Sequence, residues 1–274
     1  MAVSSSILVV DSVYSPADQL LSFADTNTLL TAASKVEQGF LHFWTTEVPT
    51  VILGLNDKRL PKLADGLDDL TAHGYQYFLR NSGGLAVISD PGVLNVSLIF
   101  HEDQPLGVDA GYEIMTSLIQ DSFPELDIKA FEISDSYCPG TYDLSVNGQK
   151  IAGIAQRRTK NAISLMLYLG VTGNQLARGE TIRSFYDAAD ADYSEGQFPL
   201  VNPNVMTTLN DLNPALGSVS IAKERILAEL QRQQAVAPLA QGQEFVTSTE
   251  YLAEQQKALR QMKLRNQVLI KEEP

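Results

Sequence analysis

The chain has 274 residues, 44% of them hydrophobic, which is enough for a substantial core. Its net charge of −13 argues against general nucleic-acid binding, which needs a basic face to neutralise phosphates. A single cysteine, Cys138, excludes an intramolecular disulfide and a multi-cysteine zinc site. No stretch approaches the roughly 18 uninterrupted apolar residues of a membrane span. The opening MAVSSSILVVDSVYSP has no basic region of the secretory kind, so the expected setting is reducing cytoplasm.

Taken in chain order, residues 18–34 carry a broad apolar pattern that predicts a helix. FLHFW and TVILG are short strand-like runs separated by a proline, with Gly54 closing the second. A helix is expected over 62–74, an extended run at YQYFLR, and a break at Gly83-Gly84. LAVISD and LNVSLIF, on either side of Pro91-Gly92, read as a hairpin. A helix follows over 109–121. The strongest local signal is YDLSV-NG-QKIAGIAQRR, two extended runs about a two-residue Asn-Gly loop. AISLMLYLGV is one more strand. From about residue 203 the chain becomes Gln-rich and helix-favouring. Strands and helices without regular alternation predict an α+β fold with a helical C-terminal tail. The expected division is a main domain over 1–202 and a helical C-terminal extension over 203–274.

Cys138 admits two readings. A free thiol reacts as thiolate and needs a neighbouring positive charge or N–H dipoles to form it. By composition alone a lone cysteine is more often a small buried hydrophobe. Its place beside Pro139-Gly140, in a turn that leaves the backbone open, favours a nucleophile. Lys150 begins the return strand of the Asn-Gly hairpin, where it faces Ser145. A fully extended chain would hold Cys138 roughly 23 Å from Lys150, so the chain must fold back at Pro139-Gly140 for the two to meet. The only histidines, His42, His73 and His101, lie in no motif-like setting, so a Cys-His hydrolase is weakly supported. Lys150, Arg157, Arg158 and Lys160 form the one dense basic cluster of an acidic body. Such a cluster suits an acidic protein partner at short range or, as the bland alternative, a charged strand edge.

Ser82-Gly83-Gly84 lies between two apolar runs, and adjacent glycines let a ligand approach the backbone. A tight turn would give the same letters, and no Gly-Lys-Ser/Thr follows to make a phosphate loop. Together FWTTEVPTVILGLND (43–57), RNSGGLAVISDPGVLNVSLI (80–99) and SYCPGTYDLSVNGQKIAGIAQRR (136–158) resemble the lipoate ligase and octanoyltransferase family. Within it, the likeness is greatest to the amidotransferase branch that draws octanoyl groups from the glycine cleavage H protein. The resemblance spans roughly residues 18–200, with the three segments in order and register.

The resemblance implies a biotin protein ligase-like fold, a mixed sheet flanked by helices, with an acyltransferase catalytic domain over 1–202. It implies a thioester on Cys138, and Lys150 lowering the thiol pKa. It implies that Arg80, Ser82, Gly83 and Gly84 line an acyl pocket together with Gly153. It also implies octanoylated H protein as donor, lipoyl domains of 2-oxoacid dehydrogenase E2 subunits as acceptors, and no metal or other cofactor. Arg157, Arg158 and Lys160 are the expected docking residues for these partners, with neither nucleic acid nor membrane as a partner. The ATP-dependent ligases of the family carry a pattern like R-R-x-S-G-G-G-A-V-x-H-D. Here Leu79, Leu85 and Ser89 replace its first arginine, third glycine and histidine. Loss of a charge and of a backbone-access glycine weakens contact with a nucleotide phosphate. This favours a transferase over the alternatives, an ATP-dependent lipoate-protein ligase or a non-catalytic lipoyl-domain binding protein.

Overall fold

The computed structural model describes residues 6–269 apart from 37, 103 and 105. The chain runs β1 (Leu8–Tyr14), α1 (Gln19–Lys35), β2 (Phe40–Thr46), β3 (Thr50–Leu53), α2 (Leu63–Ala72), β4 (Gln76–Leu79), β5 (Val87–Ser89), β6 (Val93–His101), α3 (Val108–Ser122) and β7 (Lys129–Ala130). It continues β8 (Leu144–Val146), β9 (Gln149–Arg158), β10 (Ala162–Gly170), α4 (Gln175–Ala188), α5 (Leu209–Leu212), α6 (Val219–Gln233), α7 (Leu239–Val246) and α8 (Thr249–Asn266). A seven-stranded mixed sheet has the order β1-β2-β6-β10-β9-β8-β7, and a three-stranded sheet the order β4-β3-β5. No helix among the described residues is long and apolar enough to cross a membrane.

Strand alternation sorts the large sheet into two faces. Leu94, Val96, Leu98 and Phe100 of β6, with Ile163, Leu165, Leu167 and Leu169 of β10, join the main core. Met115, Leu118 and Ile119 of α3 and Ala222, Ile226 and Leu230 of α6 cover them. The intervening residues Asn95, Ser97, Ser164 and Tyr168 are buried on the opposite face. That face is where a cavity opens. A second core forms around the small sheet, with Leu67 and Leu70 of α2 and Ile182, Phe185 and Tyr186 of α4.

The Asn-Gly hairpin forms as expected, with Ser145 opposite Lys150. Asn147 and Gly148 both have positive φ, 51° and 79°, as the tight turn requires. The hairpin expected about Pro91-Gly92 does not form. β5 pairs with β3 in the small sheet, whereas β6 pairs with β2 and β10 in the large one. The turn therefore carries the chain from one sheet to the other, and the cavity lies between them.

Helices beyond residue 203 pack onto both ends of this body. α6 completes the main core. α8 is bound to α1 through Asp25, whose carboxylate accepts from Tyr14 (2.7 Å), Tyr251 (2.7 Å) and Gln255 (2.6 Å). Asn266 at the end of α8 accepts from the Leu79 N–H and donates to its carbonyl, closing the edge of β4.

Candidate active site

A cavity of about 360 Å³ lies between the two sheets. Phe23 and Thr26 of α1, Trp44 of β2 and Ile52 of β3 form one part of its wall. The 80–84 loop, the 137–140 turn, and Gly153 and Ala155 of β9 form another. Of the residues singled out in the sequence, Arg80, Ser82, Gly83, Gly84, Cys138, Lys150 and Gly153 all line this one cavity. Arg157, Arg158 and Lys160 do not.

The turn bearing Cys138 is folded by a carboxylate. Asp143 accepts from the backbone N–H of Ile133 (3.2 Å) and of Gly140 (3.1 Å), drawing the chain back on itself. Its other oxygen meets Lys150 Nζ at 3.0 Å, with both side chains only 2% exposed. Lys150 also donates to Ser136 Oγ (3.0 Å) and to the carbonyls of Tyr137 (3.1 Å) and Cys138 (3.0 Å). The fold-back at Pro139-Gly140 thus occurs, and Lys150 reaches Cys138 at its carbonyl oxygen rather than at sulfur. Burial raises the Asp143 pKa, and the Lys150 charge opposes that shift.

The sulfur has other neighbours. Arg80 Nη2 donates to Cys138 Sγ at 3.7 Å, and the Leu85 backbone N–H donates at 3.4 Å. Cys138 has φ +47°, left-handed backbone that is unfavourable for a side chain larger than glycine. Arg80 is itself buried, 8% exposed, and is held by the Gly83 carbonyl through Nε (3.2 Å) and Nη2 (2.8 Å). No carboxylate among the described residues lies within ion-pair distance of it.

The two glycines of the loop differ. Gly84 has φ +84°, and a Cβ there would stand 2.6 Å from Arg80 Nη2 and 3.3 Å from Cys138 Sγ. A Cβ on Gly83 would meet nothing within 4 Å. Gly54 completes the arrangement from β3, since a Cβ on it would strike the Gly84 carbonyl oxygen at 2.0 Å. The turn after Gly54 holds the loop, Leu55 N–H donating to the Ser82 carbonyl and Asn56 N–H to that of Gly84. Asp57 accepts from Gly54 N–H (2.7 Å) and Tyr186 hydroxyl (2.9 Å), and burial pushes its pKa up to about 7.

Tyr137, next to the cysteine, is fixed from behind. Its hydroxyl bonds that of Tyr168 and accepts from Gln175 Nε2 at 3.1 Å. Gln175 is held in turn by Arg178, which forms a two-point ion pair with Asp90. Asp143, Gly54, the Leu85 N–H and this tyrosine pair escaped the sequence reading. Asp143 carried a signal, a carboxylate at the mouth of an otherwise apolar strand. None of the three histidines bonds the cysteine. His42 is buried between Tyr14 and Thr26, and burial lowers its pKa to about 4.

The basic cluster is not a single patch. Lys150 is interior and neutralised by Asp143, which removes it from any docking surface. Arg158 is engaged by Glu102 (3.1 Å) and by the carbonyls of Leu106 and Gly107. Lys160 is exposed beyond β9, and Arg157 is half-buried.

A lone thiol thus faces the cavity under a guanidinium and a backbone N–H. Comparison with known proteins gives the class. Residues 18–231 match the model of the lipoyl protein ligase A/B catalytic domain. An octanoyl-[GcvH]:protein N-octanoyltransferase of Exiguobacterium sibiricum is 44% identical over 194 residues, 70% of each chain. A lipoyl-[GcvH]:protein N-lipoyltransferase of Listeria monocytogenes is 42% identical over 71% of this chain and 72% of its own. The enzyme of the first kind from Oceanobacillus iheyensis is 41% identical over 79% of each. Among solved structures, a lipoate-protein ligase A bound with ATP superposes with TM-score 0.70 at 15% identity, over 97% of this chain and 99% of its own. A bipartite lipoate protein ligase from Thermoplasma acidophilum gives 0.66 at 15%, over 98% of each. The chain belongs to the lipoyl protein ligase A/B catalytic-domain family, and it is an acyltransferase.

Proposed function

We propose that this enzyme moves an octanoyl or lipoyl group from the lysine of glycine cleavage H protein to a lysine of a lipoyl domain, through a thioester on Cys138. The observation that carries the reading is the sulfur itself, which faces the cavity with Arg80 and the Leu85 N–H directed at it. A thiolate is the reactive form, and a nearby cation and N–H dipole favour it. Splitting one amide exchange into two acyl transfers gives each step a good nucleophile or leaving group.

In the first transfer, sulfur attacks the amide carbonyl, the C–N bond breaks, and the lysine amine leaves with the proton the thiol supplied. In the second, the acceptor lysine attacks the thioester, the C–S bond breaks, and a proton from the amine returns to sulfur. One amide replaces another, so the exchange is nearly balanced and consumes no nucleotide. Lys150, itself held by Asp143, donates to the Cys138 carbonyl and so aims the sulfur, while the wall of Phe23, Trp44 and Ile52 receives the chain.

Intact mass after mixing the enzyme with octanoylated H protein tests this. Wild type is expected to gain one hydroxylamine-labile octanoyl group, and Cys138→Ala none, with transfer to a lipoyl domain lost. An adduct that persists on Cys138→Ala would end the proposal.

A further inference from the structure

β8 covers β9 only from Gln149 to Ala152, whereas β10 pairs with β9 as far as Arg158. From Gly153 onward one edge of β9 has no strand partner among the described residues. Residues 153–156 hold no proline, no lysine and no bulge, the devices that commonly protect an edge. This open edge starts at the cavity, because Gly153 and Ala155 line it.

Arg157 lies two residues further along, on the same face as Gly153 and Ala155, roughly 7 Å from Ala155. Its Nη1 is out of contact with solvent and has no hydrogen-bond partner. Burial lowers its pKa, and the like charge of Arg265 lowers it further. Arg265 is exposed near the end of α8, next to the Asn266 that binds Leu79, the residue before Arg80. Neither arginine has an acidic partner among the described residues. A guanidinium nitrogen that has lost water without gaining a bond is unfavourable, and a second arginine adds repulsion. A carboxylate between them relieves both costs, with the two-point geometry that arginine favours.

We propose that Arg157 and Arg265 receive an acidic side chain of the acyl-carrier protein, which lies extended along the open edge of β9 and so directs its acyl-lysine into the cavity. The proposal rests on the reading that a carrier protein delivers the acyl group. Backbone pairing along the edge supplies orientation, and the arginines fix how far along the strand the carrier sits. Arg158, one residue on, faces the other way and serves the fold instead.

The test compares acylation of Cys138 by octanoylated H protein with acylation by a small octanoyl thioester, using the full chain. Arg157→Glu and Arg265→Glu are each expected to lower the ratio of the two rate constants by about tenfold or more. An acidic-to-arginine change on the H protein should recover part of the loss. An unchanged ratio in both variants overturns the proposal. The chain's own Glu272 and Glu273 are the rival occupants, so a variant lacking 271–274 is measured too. If that deletion raises the ratio and abolishes the effect of Arg157→Glu, the arginines serve the C-terminus and the proposal falls. Residue-resolved amide exchange should slow within 153–158 when H protein is added, and slowing confined to other strands would reject the edge. Failure of the H protein to acylate wild-type Cys138 would instead reject the function itself.

Discussion

Two buried cations flank Cys138, and the protein treats them in opposite ways. Lys150 has a carboxylate at 3.0 Å and three further oxygen acceptors. Arg80 has one backbone carbonyl and the cysteine sulfur. Asp57, an acid that feels its charge, is occupied by Gly54 and Tyr186, and burial has pushed it toward the neutral form. A cation neutralised on all sides has little charge left to offer a thiolate. One without a carboxylate does. The comparison assigns the shape of the turn to Lys150 and the charge that faces sulfur to Arg80.

The largest effect that would break this division is on the fold. Lys150→Ala leaves Asp143 buried without its partner, a change that costs about 3–5 kcal/mol. Denaturant unfolding should show that loss, and pairing Lys150→Met with Asp143→Leu should recover much of it. Stability unchanged in Lys150→Ala would make the ion pair incidental.

A smaller effect should separate the cations chemically. Arg80→Gln removes the positive charge that faces sulfur. Alkylation by iodoacetamide near neutral pH should then slow about tenfold, with the loss shrinking as pH rises. Superimposed curves for Arg80→Gln, with a shifted curve for Lys150→Met, would reverse the two assignments.

The finest test uses the glycines. Gly84→Ala places a Cβ against Arg80 and in left-handed backbone, so it should destabilise by about 1–2 kcal/mol and depress acylation. Gly83→Ala enters open space and should stay within about 0.5 kcal/mol of wild type. Equal losses in both would mean the loop is disturbed as a whole.

Much of this was legible in local sequence. The β8–β9 hairpin was readable because Asn147-Gly148 names its own turn, α2 and α3 because their apolar residues gather on one face, and the C-terminal helices because their composition favours helix. The Pro91-Gly92 turn misled, since β5 is only three residues long and takes its partner from β3, far back in the chain. No local pattern records that choice. Lys150 was visible as a cation near the cysteine, and Arg80 only as a residue of the pocket that the resemblance implies. Which one faces sulfur depends on Asp143 pulling the turn closed and on Gly54 letting the Gly84 backbone approach. Those are contacts between segments that are silent when read singly.

The clasp on Asp25 sets an order of events during synthesis. Tyr14 can reach that carboxylate early, but Tyr251 lies 226 residues downstream and Gln255 further still. Contacts of such separation close only after the intervening chain has been made. Asp25 is carried on the same helix as Phe23 and Thr26, which wall the cavity. A nascent chain halted before α8 therefore lacks the Tyr251 and Gln255 donors to Asp25, and the helix that walls the cavity is less firmly held. The ribosome must deliver the last helix before that wall is fully clasped.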